Sequence, residues 1–312
     1  MIRSRTDALA AATLVVLWSS GFVGAVLGTS HAAPDTLLAW RFLVAAVVLG
    51  PVALARGARF RPAALRRHVP LGVLSLFLCL GGTVTGIALG VPAGTTALIA
   101  AAQPLVVATL AGPLLGEHLR RRQRVGLLVG LAGVALVVGG DVHSDGAPWW
   151  AFLLPVASMF VLSAGTLLTR RAGTTESPLE SLTIQAVTAA VLFTIVAAVG
   201  GRLAPPADPG FWWSVAWVVG LSTFGGYGAY LFVVRRSGPT RASTLLYLTP
   251  PTTMIWAYLM FGQVPGLLAL PGVALTAVGV TLVLFRSDRR IVGAESHDGR
   301  RERARRFLAR HP

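Results

Sequence analysis

Ten apolar stretches of about twenty residues each divide this chain, and short polar connections separate them. They run over 8–28, 36–55, 69–89, 94–115, 122–140, 149–169, 180–200, 211–233, 241–262 and 266–285. That length, at helical rise, crosses a hydrocarbon core roughly 30 Å thick. Inside hydrocarbon each segment must pair its own backbone N–H and C=O groups, which selects helices. The pattern predicts an all-α integral membrane protein with ten transmembrane helices. Segments 6 and 7 carry four hydroxyls each, and only the tail after Phe285 is long and polar.

Read at an offset of 146 residues, the chain matches itself at positions that shape helices. Pro104 pairs with Pro250, Gly116 with Gly262, Gly126 with Gly272, Gly133 with Gly279, Val134 with Val280 and, further upstream, Gly82 with Gly228. This is an internal duplication, five segments followed by five. An odd number of spans per half means that the second half runs opposite to the first, so the repeats are expected to be inverted. Prolines at corresponding places of two such halves point to a transporter's binding site.

Composition agrees with the pattern. The chain is 54% hydrophobic and 12% charged, against about 25% charged residues for a soluble domain. The charges also orient the array. All 27 basic residues are Arg, and 25 of them fall on one side, in the termini and alternate connections. The opposite side holds only Arg202, and Arg41 lies inside segment 2. By the positive-inside rule, both termini are expected in the cytoplasm of a plasma-membrane protein.

The net charge of +15 is a topology signal first. Nucleic-acid binding would need the arginines gathered on one surface, whereas here they are divided among loops and termini. The Arg-rich tail lies either on anionic lipid headgroups or free in solvent. The run after Arg3 and Arg5 is longer than a signal-peptide core and reads as a retained first helix. Cys79 is the lone cysteine, which leaves no disulfide and no cysteine metal cluster, and no cofactor is expected. An enzyme is disfavoured because no His, Asp or Glu falls in the middle of a span. The nearest nucleophile elbow, Gly220-Leu221-Ser222-Thr223-Phe224, lacks its closing glycine.

Several motifs together resemble the EamA-like family of the drug/metabolite transporter superfamily. They are Leu17-Trp18-Ser19-Ser20-Gly21-Phe22-Val23, Arg41-Phe42, Gln103-Pro104, Leu115-Gly116-Glu117, and Gly126 with Gly133-Val134. The second half repeats the pattern with Pro250, Phe261-Gly262, and Gly272 with Gly279-Val280. The resemblance covers about residues 8–285. It implies a ten-helix bundle of two inverted repeats, 8–140 and 149–285, between a cytoplasmic N-terminus (1–7) and an Arg-rich cytoplasmic tail (286–312). It also implies a central cavity lined by segments 1, 3, 4, 6, 8 and 9, and a small metabolite or drug as substrate, often exported. Gln263 departs from the pattern, standing where a second Glu would match Glu117.

The residues argue for the same cavity on their own. A proline within a helix removes a donor and frees the carbonyl four residues earlier. Pro104, Pro250 and Pro251 would free Ala100, Leu246 and Tyr247, either toward a cavity or as simple packing kinks. In segment 8, Thr223, Tyr227 and Tyr230 recur at helical spacing and should share one face. Tyr247 and Thr249, Gln103, and Trp18, Ser19 and Ser20 complete the candidate lining, each serving as ligand contact or as interhelical glue. Arg41 reads as an anchor snorkelling outward or as a substrate or gate contact. Glu117, near Arg120, Arg121 and Arg122, reads as a gate latch or a solvated charge.

Gly126 and Gly130 on segment 5, and Gly272 and Thr276 on segment 10, form small-residue packing faces. Trp149, Trp150, Trp212 and Trp213 should anchor the outer boundary. With no mid-span Asp or Glu, a permanent cation should be a poor substrate, and a neutral or zwitterionic metabolite of amino-acid size fits better. A proton-coupled multidrug exporter and a membrane scaffold without transport remain the alternatives. The partners expected are a small-molecule substrate and lipids, with the chain a monomer or a homodimer.

Overall fold

The computed structural model describes residues 5–115, 121–142, 146–172 and 176–284. Among them, all regular structure is helical. Segment 1 is α1 (Arg5–Thr29), and segment 2 is α2 (Pro34–Ala55). Pro34 opens α2 in its first turn, where a missing N–H costs nothing. Segment 3 begins ahead of its apolar run as α3 (Pro62–Leu71), widens into a π-helical stretch over Gly72–Leu78, and continues as α4 (Cys79–Ala88). Segment 4 is two helices, α5 (Ala93–Ala101) and α6 (Gln103–Leu115). Segment 5 is α7 (Arg121–Val142).

Segment 6 opens with a 3₁₀ turn over Trp149–Phe152 and runs on as α8 (Leu153–Ala172), and segment 7 is α9 (Pro178–Val199). Segment 8 is α10 (Pro209–Trp217), a π-helical stretch over Val218–Gly226, and α11 (Tyr227–Ser237). Segment 9 breaks into α12 (Pro239–Leu245), a 3₁₀ turn over Leu246–Leu248, and α13 (Thr249–Phe261). Gly262 ends α13 at φ 64°, the left-handed conformation that favours glycine at a helix terminus. Segment 10 is α14 (Ala269–Leu284).

Eight of these stretches, those of segments 1 to 8, are long and apolar enough to cross a membrane. Segment 10 has a shorter apolar helix, Ala269–Val283, and segment 9 is interrupted at its tandem prolines. Val47, Leu128, Val191 and Leu259 remain exposed on α2, α7, α9 and α13. Apolar side chains facing outward suit lipid, which is as apolar as leucine.

The departures from a straight α-helix recur at the 146-residue offset. Gly72 and Val218 each open a π stretch, and Ala102 and Leu248 each precede a half-helix that carries proline in its first turn. Packing follows the same relation. A Cβ on Gly126 would lie 2.7 Å from the Gly279 carbonyl oxygen, and one on Gly133 would lie 2.6 Å from that of Gly272. As the position on α7 rises, its contact on α14 falls, so the two helices run antiparallel. Thr276, equivalent to Gly130, donates its hydroxyl to Gly272 O at 2.8 Å and approaches Gly130 O at 3.4 Å. The small-residue faces of segments 5 and 10 are thus occupied by one another within a single chain.

The largest core cluster joins α1, α2, α4, α9 and the α10–π segment. At its centre Phe42 stacks on Phe193 with centroids 5.9 Å apart, and Phe77 tilts onto the same ring at 4.7 Å. A second cluster around Ile99, Leu105, Met159 and Val280 ties α5, α6, α8 and α14 together. The two broken segments cross between these cores: Gly94 of α5 packs against the Met254 side chain of α13.

Candidate functional site

The prolines sit differently from the mid-helix positions that the sequence implies. Pro104 is the second residue of α6, and Pro250 and Pro251 stand in the first turn of α13. The chain has already left the regular helix before each of them, with ψ near zero at Ala102 (−4°) and Leu248 (−7°). The missing donors are ones that a helix start leaves unpaired in any case. Each broken helix therefore presents two termini in the middle of the bundle, rather than one kinked span.

Around these breaks the candidate residues separate into three groups. Trp18 of α1 and Tyr230 of α11 approach with ring centroids 5.7 Å apart, and Tyr227 lies 6.4 Å from Tyr230. Ser19 and Ser20 are fully buried. Ser20 donates to its own helix at Leu17 O (2.6 Å), whereas Ser19 reaches across to Thr249 O at 3.4 Å, fastening α1 to the start of α13. A second group meets α8. Gln103 Nε2 donates to Thr166 Oγ1 at 2.8 Å, and Tyr247 packs on the Leu105–Met159–Val280 cluster.

The buried hydroxyls of Tyr247, Thr249 and Thr253, and those of Thr96 on α5 and Ser158 on α8, have no hydrogen-bond partner among the described residues. Nearly all buried polar groups in folded proteins are paired, so these hydroxyls are the ones free to bond a ligand. Thr194 on α9 is a sixth, so these residues belong to segments 4, 6, 7 and 9.

Thr223 meets other neighbours than Tyr227 and Tyr230 do. It lies in the π stretch, whose wider turn bonds i to i−5, and its hydroxyl donates to Val218 O at 3.0 Å. Thr223 instead faces Arg41, which forms the third group. Arg41 Nε and Nη2 donate to Thr223 Oγ1 at 3.3 and 3.2 Å, and Nη2 reaches Ser222 Oγ at 3.5 Å. The guanidinium carbon also lies 5.4 Å from the Phe42 ring centroid. Arg41 is 8% exposed and turned into the protein, which removes the snorkelling reading. Glu117 lies outside the described residues.

Ion pairs and a histidine–carboxylate contact fasten the two halves at both ends of the bundle. At one end Asp35 meets Arg202 at 2.7 Å and His31 meets Asp208 at 2.6 Å. At the other, Arg67 meets Glu176 at 2.9 Å and Asp7 meets Arg236 at 2.6 Å. The Gly210 backbone N–H and then His31 hold the Asp208 carboxyl below its usual range, and the bond to Asp35 raises Arg202. For Glu176, burial pushes upward, but its backbone hydrogen bond, His68 and Arg67 together outweigh it and lower the carboxyl.

A family model, the EamA-like transporter family, matches residues 6–139 and 149–285. The chain belongs to that family. It is a multi-pass membrane protein of a transporter family, and its relatives bear transporter and exporter names. It is 29% identical over 287 residues to a probable terminal-alkyne amino-acid exporter of Streptantibioticus cattleyicolor, a match covering 89% of this chain and 92% of that one. The uncharacterized inner membrane transporter YedA of Escherichia coli (strain K12) is 26% identical over 248 residues, 78% of each chain. A solved structure with 22% sequence identity superposes at a TM-score of 0.60, over 92% of this chain and 99% of that one, so the two share a fold.

Two further polar residues carry no signal in the sequence. Asp141 reads as the first residue of a loop, yet it is the penultimate residue of α7, 9% exposed, and takes a short hydrogen bond from Thr95. It borders a cavity of about 220 Å³ shared with Gln263, Met254 and Gly94. His68 is hidden among the arginines between segments 2 and 3, yet it is fully buried. Its Nε2 lies 3.3 Å from Glu176 and its Nδ1 lies 3.0 Å from Ser181 Oγ. Among the described residues, no group of His, Cys, Asp and Glu could hold a metal ion.

Proposed function

We propose that the chain is a secondary transporter of ten spans in two inverted five-helix repeats, exporting a small neutral or zwitterionic metabolite of amino-acid character by alternating access. The observation that carries this reading is the pair of broken helices at Ala102 and Leu246–Leu248, with unpaired buried hydroxyls beside them on Thr249, Tyr247 and Thr253. Discontinuous helices of matching repeats are where transporters hold substrate. The hydroxyls and the Trp18–Tyr230 pair offer hydrogen bonds and an apolar wall to a molecule of that size. The antiparallel α7–α14 contact supports the inverted arrangement, and the exporter name of the Streptantibioticus relative supports the amino-acid class. Rocking of one half against the other would break the ion pairs at one end while keeping those at the other.

The test is resistance. Cells producing the protein should survive toxic amino-acid analogues better than cells without it, and protection confined to quaternary ammonium compounds would overturn the substrate class. A proton-coupled exporter is the second reading, and Asp141, a carboxylate beside a cavity, favours it. Dependence of that protection on the proton gradient separates the two.

The proposed orientation places both termini in the cytoplasm. With Cys79 replaced, a cysteine at exposed Ala204 should react with an impermeant external thiol reagent, and one at exposed Ala63 should be shielded. The reverse pattern would invert the topology.

A further inference from the structure

We propose that Arg41 is the anchor for a carboxylate of the transported molecule, a reading that rests on the transporter function proposed above. The argument begins with an imbalance of charge. A guanidinium keeps its proton in proteins, and a charge buried without an opposite partner is costly. Arg41 is 8% exposed, and as the eighth residue of α2 it lies about 10 Å from the start of that helix at 1.5 Å per residue. Among the described residues its neighbours are two hydroxyls and one aromatic ring, and no carboxylate lies within ion-pair range.

The position is built to hold the fork still. Nε and Nη2, the edge that clasps a carboxylate, converge on the single oxygen of Thr223 at 3.3 and 3.2 Å. That oxygen gives its own proton to Val218 O, so it presents only lone pairs to the arginine. Thr223 lies within the π stretch, whose wider turn leaves the Val218 carbonyl five residues back within reach of its hydroxyl. Nη1 has no partner among the described residues, so part of the donor set remains open. Ser222, the second hydroxyl, also abuts α1: a Cβ on Gly21 would lie 2.6 Å from its Oγ. Through Ser222 the guanidinium thus lies one side chain from Gly21, at the junction of α1, α2 and the π stretch.

One fixed positive charge matches one carboxylate. A phosphate dianion would bring a charge that the site leaves unmatched. Ligand approach would exchange the Thr223 contact for the carboxylate, a stronger charge-assisted bond.

The test measures thermal stabilisation of the purified full-length protein by the twenty amino acids, by their carboxamides such as L-phenylalaninamide and L-leucinamide, and by inorganic phosphate. At least one amino acid should raise the unfolding temperature while its amide does not. Arg41→Gln should weaken that binding roughly 30-fold or more, and Arg41→Lys should keep part of it, retaining the charge but losing the fork. Stabilisation by acids and amides alike, by phosphate alone, or by no amino acid overturns the proposal, as does a folded Arg41→Gln protein with unchanged acid-to-amide discrimination. The acid-to-amide comparison on wild type stands even where a variant fails to fold. Discrimination without any transport in proteoliposomes would retain this site and remove the transporter reading. Transport of acids and amides alike would do the opposite.

Discussion

Gly279→Leu should lower the unfolding temperature of the purified protein by roughly 5–10 °C, from an overpacking cost of about 3 kcal/mol. A Cβ on Gly279 would lie 2.5 Å from the Gly126 carbonyl oxygen and closer still to the backbone of Gly130. Backbone cannot swing aside as a flexible side chain can, so α7 and α14 would have to separate. In lipid no hydrophobic force draws helices together, and close van der Waals packing at small residues supplies much of the association. Separating the pair would also remove the contact of Thr276 with Gly130 O. Gly139→Leu on α7 is the control, because a Cβ there meets nothing within 4 Å. It should change the melting temperature little. Melting of the Gly279→Leu protein at the wild-type temperature would show that the crossing is not close-packed backbone.

The division between what could be read from the sequence and what could not follows the range of the interactions. Hydrophobic runs and Gly–Pro punctuation are local, and they locate the segments and both broken helices through Pro104 and Pro250. The duplication is a property of the string itself, so the equivalence of Gly126 with Gly272 needs no coordinates. The π stretch that holds Thr223 changes the period within an apolar run that gives no sign of it. The outward reading of Arg41 failed for a related reason. Whether a long side chain turns toward lipid headgroups or toward a hydroxyl depends on a helix more than 180 positions away in the chain. Asp141 and His68 were hidden by their surroundings, a helix end and an arginine-rich loop, where polar residues are ordinary. The second break is also wider than the first, a 3₁₀ turn in place of a single residue, and two prolines follow it.

That difference between the breaks determines how they should respond to substitution. Pro104→Ala restores one backbone N–H at the start of α6, and nothing else there prevents α5 and α6 from joining through Ala102. In the second half, Pro250→Ala leaves Pro251 in place, so only the pair Pro250→Ala with Pro251→Ala lets α12 and α13 join. Each restored N–H adds a helical hydrogen bond worth about 0.5–1.5 kcal/mol net, and about 1.4 kcal/mol is tenfold in an equilibrium. Joined helices should therefore favour the straightened state over the broken one by up to about tenfold per bond, and transport should fall to match. Membrane insertion and yield should stay near wild type, because each restored N–H can pair with the carbonyl already present four residues earlier. The measurement is the initial rate of export, from reconstituted vesicles, of an amino-acid analogue against which the wild type protects. The single Pro250→Ala variant should retain more activity than the double. Equal, wild-type rates in Pro104→Ala and in the double variant would reduce these prolines to packing features and detach the broken helices from the transport cycle.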